Sequence, residues 1–140
     1  MPDAITVKVA GLREIEQRLL LLPQKLARRH LAKAVGRGGR VLRDLARAKA
    51  PVGETGELRK NIIARVRANL KQNKVTATVG VRYRGAGTQD PGVYAMFQEF
   101  GTEHAPAQPF LRPALDEGAQ PAIAATVETL REGLEDSAKR

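Results

Sequence analysis

Residue types that could carry chemistry are few in this chain of 140 residues, and they are scattered. The only serine, Ser137, lies in a charged C-terminal stretch from Glu135 to Arg140. A serine nucleophile needs a base within hydrogen-bonding reach. The two histidines are His30 and His104. His30 has no carboxylate three or four residues to either side. His104 follows Glu103, with Glu99 five residues earlier. Those three could hold a metal ion, but Gly101 breaks the helical register between them and no second histidine lies near. The glycines at 36–39 and 85–92 lack the Lys-Ser/Thr ending of a phosphate loop. There is no cysteine, hence no disulfide and no thiolate chemistry. The expectation is a protein that is not an enzyme and that uses no metal or cofactor.

Charge is the more informative chemistry. The net charge is +9. Residues 12–50 carry eleven Lys/Arg against three acids, and residues 51–84 carry eight against two. Residues 85–140 reverse the balance, with four against nine. A basic front half and an acidic back half can attract each other, within one chain or head-to-tail between copies. Arg29, Lys33, Arg37, Arg40 and Arg47 recur at steps of three, four and seven, which places them on one side of a helix. Such a rail can meet acidic protein surfaces or nucleic-acid phosphates. It has no interleaved aromatic residues for stacking on bases and matches no DNA-reading module. Protein contact is the favoured reading, and a small basic nucleic-acid-binding protein is the alternative.

The elements that position these groups follow from periodicity. Ile5, Val7 and Val9 alternate with Thr6 and Lys8, which predicts a short strand. Leu12, Ile15, Leu19 and Leu22 predict a helix over 12–22, bounded by Pro23. A longer helix is predicted over 24–50, with Ala27, Leu31, Ala34, Val35, Leu42, Leu45 and Ala46 inward. The run Gly36-Arg37-Gly38-Gly39 weakens it by about 1 kcal/mol per glycine. Either the helix bends there or another element packs against bare backbone. After a turn-rich connector at 50–56, the alternation from 58 to 68 and from 75 to 82 predicts an antiparallel hairpin. Residues 84–92 read as a flexible loop, either a plain spacer or a segment that orders against a partner. A final helix from about Pro113 carries Leu115, Ala119, Ile123, Val127, Leu130 and Leu134, with Pro121 expected to kink or split it and residues 135–140 expected to fray. The longest apolar run, Leu19–Pro23, is too short to span a bilayer, and no signal peptide is apparent. One domain over 1–140 is expected.

Rare residue types gather in 93–115, VYAMFQEFGTEHAPAQPFLRPAL. All three phenylalanines lie there, with Tyr94. Tyr94, Phe97 and Phe100 mark one edge of a short helix stopped by Gly101. The expectation is that Phe97, Phe100, Phe110 and Leu111 form the core beneath the sheet, and that Glu99 and Arg112 fix the segment, to each other or to a neighbour.

Two stretches together resemble one family. Ala50-Pro51, Thr55-Gly56, Leu58-Arg59 and Asn61-Ile62 resemble an "AP…TG.LR.SI" connector, with asparagine for serine. Tyr94-Ala95, Glu99-Phe100-Gly101-Thr102, Pro106-Ala107 and Pro109-Phe110-Leu111-Arg112-Pro113-Ala114-Leu115 resemble "YA…EFGT…PA.PFLRPAL". Both are similar to motifs of the tail-completion (head–tail joining, minor tail) proteins of long-tailed bacteriophages and prophages. The resemblance implies an α+β fold, an antiparallel β-sheet with a long N-terminal helix and a C-terminal helix packed on it. It further implies a virion structural protein of the tail or neck, assembled in the host bacterial cytoplasm. The implied form is a homo-oligomeric ring, of six, between the tail tube or terminator and the head-connector proteins. DNA in the channel is a further contact open to the basic helix, and no membrane is involved. The candidate interface residues are Arg29, Lys33, Arg37, Arg40, Arg84, Gln89, Asp90, Glu99 and Arg112.

Overall fold

The glycine run at 36–39 marks the centre of the molecule. In the computed structural model, which describes residues 11–51, 56–72, 74–83, 85 and 90–139, it lies midway along α2 (Gln24–Lys49), an unbroken helix. A side chain at Gly38 would collide with Thr126 Oγ1 and stand 2.9 Å from the carbonyl oxygen of Ala122. One at Gly39 would stand 3.1 Å from Cβ of Ala77, and one at Gly36 3.3 Å from Val66. The bare backbone therefore lets two layers approach α2 at once. α5 (Leu111–Ala138) lies on one side, and the hairpin of β1 (Ile62–Asn69) and β2 (Lys74–Val81) lies on the other. The helical cost of the glycines is offset by these contacts.

β1 and β2 pair antiparallel, Ile62 with Val81 through Asn69 with Lys74. This register puts Ile62, Ala64, Val66 and Ala68 on the same face as Val75, Ala77, Val79 and Val81. Both long helices pack on that sheet, as the alternation and the helical steps require. α2 runs along it, and the first turn of α5 joins Ile62, Val79 and Val81 in one core cluster with Ala46, Leu58 and Phe110. The rest of α5 runs antiparallel to α2: Gly118 meets Leu42 and Leu45, and Gly133 meets the ring of His30. α1 (Leu12–Leu20) closes a second cluster, in which Ile15 packs with Ala34, Val127, Leu130 and Leu134.

Four local expectations are corrected. Residues 57–60 form one helical turn, α3 (Glu57–Lys60), rather than the start of β1. Leu58 is its buried residue, and Asn61 and Ile62, which follow it, are buried too, a spacing of three and four that overrides the alternation. Pro121 does not split α5. It is exposed, as is Glu117, whose carbonyl it leaves without a donor, while Gly118, Ala119 and Ala122 are buried on the opposite side. Nor does the chain fray at 135, for the helix continues to Ala138, and Nε2 of His30 lies 2.7 Å from Oγ of Ser137. The last residues of the 84–92 loop are ordered: Asp90 is fully buried and its carboxylate accepts the N–H of Gly92 at 2.8 Å, capping α4 (Pro91–Phe100). An N-cap Asp followed by Pro at the first helical position is a standard helix start. The expected strand at Ile5–Val9 lies outside the described residues, as do Arg84, Gln89 and Arg140.

Candidate functional site

The corner between α4 and α5 is built by one carboxylate. Oε2 of Glu99 accepts the N–H groups of Phe110 at 2.8 Å and Leu111 at 3.0 Å, and Oε1 accepts that of Arg112 at 3.0 Å. The first N–H groups of a helix have no partner within it. The next residue, Pro113, has no N–H to satisfy, and Ala114 already donates to the carbonyl of Phe110. Glu99 thus completes the start of α5 from another helix, with its charge at the positive end of the helix dipole. The expected Glu99–Arg112 relationship exists, but it runs through the backbone of Arg112.

The ten residues between the two helices are folded to bring this about. Gly101 has φ +79, a left-handed conformation, and a side chain there would lie 2.8 Å from the amide nitrogen of Ala107. Thr102 donates its N–H to the carbonyl of Ala105, and its hydroxyl oxygen accepts the N–H groups of His104 and Ala105. Gln108 donates back to the carbonyl of Gln98 at 2.7 Å. The EFGT and PFLRP motifs are therefore one device for turning the chain. Glu99 is engaged there and His104 is exposed.

The aromatic residues divide. Phe110 is fully buried, but Phe97 is 41 % and Phe100 78 % exposed, so the expectation that all three form the core is wrong. α4 is docked through the side that bears Gly92, Ala95 and Glu99, of which Ala95 is buried, and its bulky side faces outward. Periodicity shows that Tyr94, Phe97 and Phe100 share an edge; it does not show that this chain covers them.

Beside α4 lies an open groove of about 720 Å3. Its floor is made by Leu42 and Ala46 of α2 and by Ala77, Val79 and Val81 of β2, and Phe100, Met96 and Leu115 stand at the rim. Arg112 also lines it.

The basic rail is elsewhere. Arg29, Lys33, Arg37 and Arg40 are all exposed along α2, and among the described residues none has a carboxylate in salt-bridge range. At 100° per residue they lie on nearly the opposite side of α2 from Leu42 and Ala46. The described candidate interface residues therefore fall into three places: the rail, the corner of Glu99 and Arg112, and Asp90, buried at the opposite end of α4 as its N-cap. Arg47 belongs to neither, since its guanidinium donates to the carbonyl of Ile62 at 2.8 Å. The sequence reading missed the groove and the trans-helix cap. Asp90-Pro91 was a readable signal; Glu99 was expected to hold the segment, but its partners eleven to thirteen residues on, backbone N–H groups, were not readable.

No described helix is long and apolar enough to cross a membrane. Among the described residues, the class this geometry defines is a small domain of helices with a two-stranded antiparallel sheet, a basic stripe with no carboxylate in salt-bridge range and an open apolar groove. Residues 13–101 match the HK97-gp10-like family, described as "Bacteriophage HK97-gp10, putative tail-component". The match covers more than half of the chain, which belongs to this family and is a phage tail component. It runs from α1 to Gly101, so α5 follows it. No curated protein and no solved structure matches the chain.

Proposed function

We propose that this tail component forms a ring and serves as a tail-completion or neck part of a long-tailed phage or prophage, joining the tail tube to the head connector. In this reading it works by assembly and not by catalysis, and its neighbours are copies of itself, the tube or terminator protein and the connector. The observation that carries the reading is that two dissimilar surfaces, the basic rail and the apolar α4 side, face different ways on one chain. Unlike surfaces that meet between copies make heterologous contacts, and such contacts close into rings when the rotation closes. The acidic exposed residues of α5, such as Glu128, Glu132 and Glu135, offer the rail a complement. The ring count of six comes from the resemblance described above.

Light scattering coupled to size exclusion, with electron microscopy of the same fractions, tests this. Closed rings of uniform size support it, as does a monomer that becomes a ring on purified tails. A second reading, a small nucleic-acid-binding protein, is favoured by the unpaired rail alone. It requires a monomer that binds DNA tightly, with affinity falling steeply as salt rises.

A further inference from the structure

We infer that the outer face of the hairpin is a docking surface for the outer face of α5 in a second copy of this chain. The inference rests on the assembly reading above and names the two surfaces that meet. α2 lies between the hairpin and α5, so the outward faces of those two layers point away from each other. Ala64 faces α2 at Gly39, and Val66 faces it at Gly36. Arg65 and Arg67 alternate with them and stand on the other face of the sheet, where they pair with Thr78 and Thr76.

The hairpin's outer face and tip carry one sign of charge. Arg65, Arg67, Lys71 and Lys74 are exposed, and among the described residues none has a carboxylate in salt-bridge range. No Asp or Glu occurs from Leu58 to Gln89. The face is also hollow: an open depression of about 540 Å3 has Arg67, Lys71, Lys74, Thr76 and Thr78 in its lining. The rail borders this face across β1, since Val66 meets Gly36 and Arg40 stands about one turn of α2 from that glycine.

α5 offers the complement. Glu128, Glu132 and Glu135 are exposed and recur at steps of four and three, which puts them on one side of the helix, away from Ala122, Thr126 and Gly133 that meet α2. Among the described residues, Glu128 has one cation in range, Arg131 at 3.5 Å, and Glu132 and Glu135 have none. The two faces are level with each other. Gly38 meets Thr126 and His30 meets Gly133, so Glu128 and Glu132 lie alongside the same stretch of α2 that meets Val66 on its other side. Because α2 stands between them, an acidic helix ridge and a basic sheet hollow can meet only between copies. Each copy then offers one face to each neighbour, a head-to-tail contact. The opposed charges fix its register and exclude wrong partners.

An exchange of charge tests this on the full-length protein. One variant carries Arg65→Glu with Arg67→Glu, the other Glu132→Lys with Glu135→Lys. Assembly is followed by light scattering in solution, or by co-sedimentation with purified tails. Each variant alone should need at least about ten-fold more protein to assemble, because like charges then face each other. An equimolar mixture should recover to within about two-fold, since each altered face meets its opposite on the other variant. Carbodiimide coupling of the unsubstituted protein, as a mixture of isotopically labelled and unlabelled chains, gives a second readout. Lys71 or Lys74 of one chain should link to Glu128, Glu132 or Glu135 of the other. The inference falls if either variant assembles unaided, if the mixture of two folded variants does not recover, or if links form only within single chains. Where a variant does not fold, the coupling result decides. Intact assembly with duplex DNA binding lost from the arginine variant gives the face to nucleic acid and also overturns the inference. Rings that ignore the exchange remove this joint and leave the ring, whereas open chains or dimers that obey it leave the joint and remove the ring.

Discussion

Glu99 holds the backbone of Phe110, its Oε2 accepting that residue's N–H at 2.8 Å while the Phe110 ring fills the core. One contact joins the end of α4 to the start of α5 and seats the largest fully buried side chain. Glu99→Ala should cost roughly 2–3 kcal/mol, since three donors lose a charged acceptor. Glu99→Gln should cost less, because an amide oxygen still accepts. Urea melts of both variants give the comparison. Equal, near-zero losses would show that water replaces the cap.

The two phenylalanines at this corner should behave oppositely. Phe110→Ala should cost about 3–5 kcal/mol, the usual range for a buried ring. Phe100→Ala should cost less than about 1 kcal/mol and should impair assembly, measured by light scattering or by attachment to tails. A large loss of stability from Phe100→Ala would mean that this chain covers the ring in solution.

Glycine substitutions probe the layering around α2. Gly38→Ala adds a methyl group against the carbonyl of Ala122. Overpacking of this kind costs about 1–3 kcal/mol, more than the roughly 1 kcal/mol gained in helix propensity. Gly80→Ala has nothing within 4 Å and should be neutral or slightly stabilising. Thermal melts in which Gly38→Ala is the more stable variant would contradict the close approach of α5.

Charge reversal tests the rail. Arg29→Glu with Arg37→Glu should leave the melt within about 0.5 kcal/mol, because both side chains are exposed and, among the described residues, in no salt bridge. Ring formation should fall, and the deficit should change with salt if the rail meets acidic surfaces of a neighbouring copy. Normal assembly at low and high salt would exclude the rail as a joint. Normal assembly with poor DNA packaging or ejection would place it on the DNA channel.

Much of this architecture is legible because it rests on local repetition. The alternation at 62–68 and 75–81 gave the hairpin and its face, and three- and four-residue steps gave the long helices. The run at Gly36–Gly39 announced a close approach, though not that two layers make it. What escaped depends on groups far apart in the chain. Ser137 looked like part of a loose tail because its partner, His30, lies 107 positions away. Glu99 was expected to fix its segment, but its true partners, the N–H groups that open α5, could not be read because that helix starts twelve residues later. Phe97 and Phe100 were misplaced because hydrophobicity marks a side chain for burial without saying whether its own chain or another buries it.

The embrace of α2 by α5 also sets the order of events in folding. Gly38 meets Ala122, and His30 meets Gly133 and Ser137, so the closest-packed interface joins opposite ends of the chain. Contacts this distant in sequence close late and slow the search for the native state. During synthesis, α2 must wait, with three glycines weakening it and one flank bare, until the last helix clears the ribosome. A chain that stops short of α5 cannot complete that interface, so only full-length copies have a finished α2–α5 layer to bring to an assembly.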